Sequence, residues 1–235
     1  MNPDTHYRLQ DMLEFNELDV LKEYGYTWTD PYDIIFLFEE QLAKYTGAPY
    51  VVTTDCCTHA MELCFRWLDS IGKMPDKVDI PKYTYLSVPM MLHKLGIKYV
   101  FDDRSWLGEY RFKNVNIYDS ARMLVPSMFS ECNAFKCLSF GVGKPLQIGR
   151  GGAILVDNRE AYLWLSRARS DGRDLTVKPW SQDTFNFIGY HYNMTVEQAA
   201  KGIILLDSYE AKFDFFEDVR MLYPDLTKCP IKVDQ

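Results

Sequence analysis

The chain is 235 residues long, 47% hydrophobic and 25% charged, with a formal net charge of −7. That is room for one large α/β domain with a sizeable core, and an acidic balance without any Lys/Arg-rich run argues against a nucleic-acid or anionic-membrane surface. No apolar stretch approaches the ~20 residues of a membrane span, and the opening MNPDTHYRLQ lacks the basic and apolar regions of a signal peptide, so a cytoplasmic protein is expected.

In chain order, residues 1–31 are polar and aromatic and read as an N-terminal arm lying over the surface or against a partner. From Tyr32, YDIIFLFEEQLAKYTG has apolar residues at helical spacing, with Gly47 as its stop. APYVVTT (48–54) is a β-branched run and predicts a strand. CTHAMELCFRWLDSIG (57–72) predicts a helix with Thr58 at its start and Gly72 at its end. DKVDIP (76–81) reads as a strand, LSVPMMLHKLG (86–96) as a helix and IKYVFDD (97–103) as a strand. Strands follow at VNIYDSA (115–121), FKCLSF (135–140) and GAILVD (152–157). Helices follow at REAYLWLSRARS (159–170) and TVEQAAKGIILLDSYEAKF (195–213). Short β runs alternating with helices predict a three-layer α/β/α domain over residues 32–215, its sheet mainly parallel. The tail, 216–235, carries no clear element.

Six cysteines occur, at 56, 57, 64, 132, 137 and 229, with no CxxC pair and only four scattered histidines. These spacings predict buried, reduced thiols and no metal site.

The segment AFKCLSFGVGKPLQIGRGGAILVD (134–157) places one cation, Lys144, between two apolar runs, in a loop holding Gly141, Gly143, Gly149, Gly151 and Gly152. It is not a P-loop, because Pro145 follows Lys144 and no glycine stands five residues before Gly143. The dinucleotide pattern GxGxxG fails at Leu146. A lysine between strands has another use: desolvation weakens an amine's preference for the charged form and makes it a nucleophile for Schiff-base formation. If the partner is pyridoxal phosphate, an acid must keep the pyridine nitrogen protonated, a helix N-terminus with hydroxyls must hold the phosphate, and an aromatic must stack on the ring. Asp119 ends the run VNIY at the carboxyl end of a strand, where α/β sheets keep their sites. Thr58 opens a helix directly after YVVTT. Ser139 ends its own strand, and Tyr85 follows VDIP.

Those residues, in that order, resemble the DegT/StrS family of pyridoxal-phosphate-dependent sugar aminotransferases, of fold type I, from about Phe38 to about Tyr209. FEEQLAKYTGAPYVVTTDCCTHAMEL is similar to the family's helix and strand leading to its phosphate turn. DKVDIPKYTYLS matches a strand followed by Thr84 and the stacking aromatic Tyr85, and GIKYVFDD the next strand. VNIYDSARML matches the segment that carries the pyridinium acid, Asp119. LSFGVGKPLQIGRGGAILVD matches Ser-Phe-x-x-x-Lys followed by Gly-Gly, and IGYHYNMTVEQAAKGIILLDSYE matches Gly-Tyr-Asn-Tyr-Arg-Met-x-x-x-Gln-Ala-Ala. The resemblance implies pyridoxal 5'-phosphate as cofactor, Lys144 and Asp119 as catalytic residues, and Cys57, Thr58, His59, Tyr85, Asp119, Arg122, Ser139, Lys144 and His191 as cofactor-binding residues. It also implies a homodimer, with the GYHYNM loop reaching the neighbouring subunit's site. Its reaction is amino transfer, with glutamate the expected donor, to a keto sugar nucleotide.

Several positions depart from the family pattern. Cys57 replaces a glycine and His59 an alanine in the phosphate turn. Arg122 replaces a Gln or His, and His191 and Asn193 replace Asn and Arg. Only the eleven residues 104–114, RSWLGEYRFKN, stand where the family places a strand and helices, and by the resemblance residues 216–235 are expected as a tail in place of the family's C-terminal small domain. With one family strand missing, the sheet is expected to close up, the strand ending at Asp119 pairing directly with Val78–Ile80. Two other readings remain open: a cofactor-binding or sensory homologue without turnover, and a sugar dehydratase, against which the lysine argues because the family's dehydratases carry His there.

Overall fold

The computed structural model describes residues 16–130, 133–211 and 218–229. Much of the expected N-terminal arm, part of the tail and Cys132 lie outside them. The helices are α1 (Asn16–Glu23), α2 (Pro31–Thr46), α3 (Cys57–Ser70), α4 (Ser87–Lys94), α5 (Arg159–Ala168), α6 (Val196–Asp207) and the short α7 (Val219–Leu222). The strands are β1 (Tyr50–Thr54), β2 (Lys77–Pro81), β3 (Lys98–Asp102), β4 (Tyr110–Arg111), β5 (Ile117–Asp119), β6 (Phe135–Ser139) and β7 (Gly152–Val156).

Local chemistry accounts for the helix ends. Asp30 caps α2 in a reciprocal box with Asp33, Pro31 opens the helix, and Gly47 ends it at φ 75°. Thr195 and Gln198 form the equivalent box on α6. Asn158 caps α5 through the Ala161 amide. The helix expected to run to 213 stops at Asp207.

The main sheet has the order β1-β7-β6-β5-β4, and β2 and β3 form a separate parallel pair. β5 and β6 pair in parallel, whereas β7 runs against both β1 and β6, and β4 against β5. So β1, β5 and β6 point one way, with β7 reversed between β1 and β6. Side chains alternate across the sheet. Val52, Cys137, Ile154 and Val156 pack with α3 and α5, while Val51, Leu138, Ala153 and Leu155 pack with α2 and α6. Burial on both faces is why these strands read as continuous apolar runs. Leu18 and Leu21 of α1 belong to the second cluster, so that part of the expected arm is built into the core.

The expected closure of the sheet does not occur. Beside β5 stands β4, from the segment 104–114, with Tyr110 opposite Asp119 and Arg111 opposite Tyr118. Eleven residues are too few for a parallel crossover with its helix, but an antiparallel strand needs only a tight turn. The same segment serves the edge of β2 without becoming a strand of it. The Asp79 carbonyl accepts from the Lys113 amide (3.2 Å) and the Arg104 guanidinium (2.8 Å), and the Asn114 amide reaches the Lys77 carbonyl (3.3 Å). Backbone groups that closure was expected to satisfy thus find other partners. Trp106, Tyr110 and Phe112 are buried; the alternation in EYRFKN was the overlooked strand signal.

The tail also has structure. Val219 and Leu226 are buried, and the segment is tied to the loop after β2 by the Leu226 amide on the Lys82 carbonyl (3.0 Å) and the Lys82–Asp225 ion pair (3.5 Å). Among the described residues no helix is long and apolar enough to cross a membrane.

Candidate active site

The carboxyl ends of β5 and β6, the first turn of α3 and the glycine loop after β6 surround a cavity of about 430 Å³, within the usual range for small-ligand sites. Cys57, Thr58, Tyr85, Asp119, Arg122, Ser139 and Lys144 all line it. The other two expected residues, His59 and His191, lie outside that lining. His191 is exposed and hydrogen-bonded to Asp171 at 2.9 Å.

Two glycines shape the site. Gly143 stands at φ 74°, a left-handed conformation that turns the loop back and is strained for a side-chain-bearing residue. A Cβ on Gly152 would lie 2.5 Å from the Cys57 nitrogen. Its absence lets β7 approach the opening of α3, and so sets where that helix points its first N–H groups, which have no intrahelical acceptors. Beside them the Thr58 hydroxyl is bonded to Ser87 at 2.7 Å. Ser139 Oγ and Lys144 Cγ lie 3.8 and 3.9 Å from the Cβ position of Gly141, so the hydroxyl and the base of the amine's stem converge.

Asp119 is 3% exposed. Burial pushes its carboxyl up from the ordinary range, against the opposing effects of the Lys144 charge, the Ala121 amide (3.0 Å) and the Tyr110 hydroxyl. Burial also holds the Cys57 thiol well above its usual value, which makes it a wall rather than a nucleophile.

His59 belongs to a charged cluster at the opening of α3. Its Nδ1 is 2.6 Å from Asp55 Oδ1 and its ring stacks on Tyr192 at 3.7 Å. Burial opposes its charge, but the Asp55 bond and the neighbouring Cys56 outweigh burial and lift it to about 9. Asp55, Cys56 and His59 bring potential metal-ligand atoms within 4.8 Å of one another. However, the Arg150 guanidinium also holds Asp55, at 2.9 Å, so the cluster already sets two cationic side chains against one carboxylate. Among the described cysteines all are free; Cys57, Cys64 and Cys137 are buried, while Cys56 and Cys229 are half-buried.

The raised His59 value has a testable sign. A group protonated more readily in the folded state contributes stability that is complete below its unfolded value, near 6.5, and is lost as pH rises through about 9. NMR of the ring protons should therefore give a midpoint near 9, falling towards the ordinary value in Asp55→Asn. A wild-type midpoint near 6.5 would disprove the ion pair.

Sequence reading missed two residues here. Tyr223, in the tail, lines the cavity, and its ring lies 6.5 Å from Tyr85 and 6.1 Å from Trp106. Tyr110 reaches Asp119 from β4. No local pattern marks Tyr223 as a site residue, since the tail's docking puts it there.

The chain is similar to several solved structures. AtS13 from Actinomadura melliaura aligns with TM-score 0.64 and 19% identity, covering 83% of this chain and 64% of that one. A protein described as the sugar aminotransferase Spr1654 from Streptococcus pneumoniae, in its PLP form, aligns with TM-score 0.63 and 20% identity, over 82% and 64%. A mutant of GDP-4-keto-6-deoxymannose-3-dehydratase (ColD) with bound GDP-perosamine gives 0.64 and 18%, again over 82% and 64%. This chain therefore spans about 64% of the length of each. No curated protein sequence matches it. The family model for DegT/DnrJ/EryC1/StrS aminotransferases matches residues 13–105 and 127–223, leaving out most of the segment that forms β4 and β5, and by that match the chain belongs to the DegT/DnrJ/EryC1/StrS aminotransferase family.

Proposed function

We propose that the protein is a pyridoxal-phosphate-dependent aminotransferase that moves an amino group, from glutamate, to a keto sugar carried on a nucleotide. The observation that supports this best is that Lys144 and the buried acid Asp119 open into one cavity with the first turn of α3 and the Ser139 hydroxyl. Those donors suit the cofactor: an amine for its aldehyde, an acid for its ring nitrogen, and hydroxyls with helix N–H groups for its phosphate.

Bound there, pyridoxal phosphate would supply an electron sink for the carbon that gives up or receives the amine. Lys144 Nζ is the group that would hold the cofactor's aldehyde, and its amine would take and return the proton at the reacting carbon. Asp119 holds the proton at the ring nitrogen. Thr58, Ser139 and the amides of Thr58 and His59 orient the phosphate, and the imidazolium of His59, behind that turn, adds a favourable charge. Tyr85, 59% exposed, lines the cavity and would offer its face to the ring. Arg122 lines the same cavity and adds a second cation to it.

ColD, a dehydratase by name, is structurally similar, but this chain has Lys144 at the position where the resemblance gives dehydratases His. The working unit we propose is a cytoplasmic homodimer, because exposed His191 lies on the GYHYNM loop that the resemblance sends to the partner's site.

The test is amino transfer from glutamate to a panel of nucleotide-linked keto sugars, followed by the cofactor's visible spectrum and by sedimentation. Loss of the visible band on adding glutamate, product with a keto sugar, and a dimer are expected. A protein that binds the cofactor and transfers no amine is a non-turnover homologue. A monomer that binds it tightly overturns the shared site.

A further inference from the structure

Tyr110 stands directly opposite Asp119 in the antiparallel β4–β5 pair, so both side chains leave the sheet on the same face. Both are nearly inaccessible, at 4% and 3% exposure, and Thr84 is at 1%. The Tyr110 hydroxyl bonds Thr84 Oγ1 at 2.8 Å, and the β4–β5 register brings it beside the Asp119 carboxyl, whose anion it favours. Towards an ionised Asp119, which only accepts, Tyr110 donates its single proton. It then has only acceptor capacity left, and the Thr84 hydroxyl must donate to it. The three groups therefore form a directed chain, from Thr84 to Tyr110 to Asp119. The tyrosine ring is clamped by Trp106 at 4.9 Å, Phe112 at 5.6 Å and the Arg104 guanidinium at 5.7 Å.

We propose that Tyr110 is a positioning residue for Asp119: its hydroxyl, backed by Thr84, keeps the Asp119 carboxylate anionic and fixed in direction, so that it can hold a proton on the ring nitrogen of a bound pyridine cofactor. The proposal rests on the cofactor reading of the cavity given above. The groups facing Asp119 make the hydroxyl matter. Lys144 on the glycine loop and the Ala121 amide favour the anion, while burial and the Glu109 carboxylate of the same 104–114 segment oppose it. Cys57 on α3 and Cys137 on β6 also face it, as buried neutral thiols. Glu109 is itself held by Lys136 (2.7 Å) and Ser120 (2.6 Å). Without Tyr110 Oη, one neutral donor and one amine remain against burial and a second carboxylate.

The experiment compares wild type, Tyr110→Phe and Thr84→Val by two measurements. The first is the carboxyl carbon titration of Asp119 by NMR in cofactor-free protein. The second is the affinity for pyridoxal phosphate as a function of pH. The Asp119 midpoint should move upward in Tyr110→Phe, and less far in the same direction in Thr84→Val. Affinity of Tyr110→Phe should fall about tenfold on the acidic side of its new midpoint and return to within about twofold of wild type at alkaline pH, as expected for ~1 pH unit of displacement. An unchanged midpoint, or an affinity loss equal at every pH, would make Tyr110 a packing residue and overturn the proposal. If Tyr110→Phe does not fold, Thr84→Val keeps the ring and decides the question through the same midpoint. A wild type that binds no pyridoxal phosphate while the Asp119 midpoint still moves would defeat the cofactor reading and leave the Tyr110–Asp119 link standing.

Discussion

Incubated with pyridoxal phosphate and then reduced with borohydride, the protein is expected to retain the cofactor on one peptide, that containing Lys144. Lys144→Ala should retain none covalently and should lose amino transfer by at least ~1000-fold, since in the proposed mechanism one residue both holds the cofactor and moves the proton. Noncovalent binding should persist in the variant, since the first turn of α3, Thr58 and Ser139 line the cavity independently of the amine. Mass spectrometry of the reduced digest gives the result directly. A tag on any other lysine removes Lys144 from the mechanism. The nearest alternative by burial is Lys136, but it is 3% exposed and held by Glu109 on the other side of the sheet from Cys137.

Replacing Arg169 with Met should cost about 3–5 kcal/mol of folding stability, a large part of the ~5–15 kcal/mol of an ordinary domain. Arg169 is 1% exposed at the end of α5 and pairs with Glu39 of α2, itself 6% exposed. The same guanidinium nitrogen bonds the Thr53 carbonyl and hydroxyl at 2.8 Å each, and Glu39 also accepts from the Thr53 amide at 2.7 Å. Helices from opposite layers are thus tied through β1, immediately before α3. Without Arg169, Glu39 is left as a buried, uncompensated carboxylate. Changing Glu39 to Leu in the same chain should recover much of the loss, since the penalty comes from the orphaned charge. Urea unfolding of the two variants measures both effects. A single-variant loss below ~1 kcal/mol would show that the pair contributes little.

The relation between these two predictions and the sequence differs. Lys144 was legible as a candidate because its surroundings in the chain are informative: a lone cation among glycines between two apolar runs, with Asp119 and Ser139 ending strands nearby. Arg169 was not legible, because in REAYLWLSRARS it is one of several arginines at a helix end. Only the crossing of α2, β1 and α5 selects it for burial. The same distinction separates Thr58, whose place after YVVTT marks a helix start, from Tyr223, whose role depends on where the tail docks.

By itself the sequence determined the elements that local rules control. Periodicity marked the long helices, short β-branched or apolar runs marked β1, β2, β3, β5, β6 and β7, and Gly47 marked the end of α2. Seven residues named from the sequence and its family resemblance also line the cavity, because strand ends in an α/β sheet gather on one side, while His59 and His191, named with them, lie outside that lining. Tertiary structure decided the rest. The reversed direction of β7 depends on pairing with β1 and β6 across a long loop, which no local pattern encodes. The seat beside β5 was misjudged because unpaired backbone groups require partners but do not specify which. A two-residue strand, a guanidinium and an asparagine amide supply them where sheet closure was expected, and that substitution brings Tyr110 to Asp119. Contacts between residues close in the chain are constrained by a few dihedrals and can be read locally. Contacts between distant segments are chosen by competition among whole packings, and are settled only when the chain has folded.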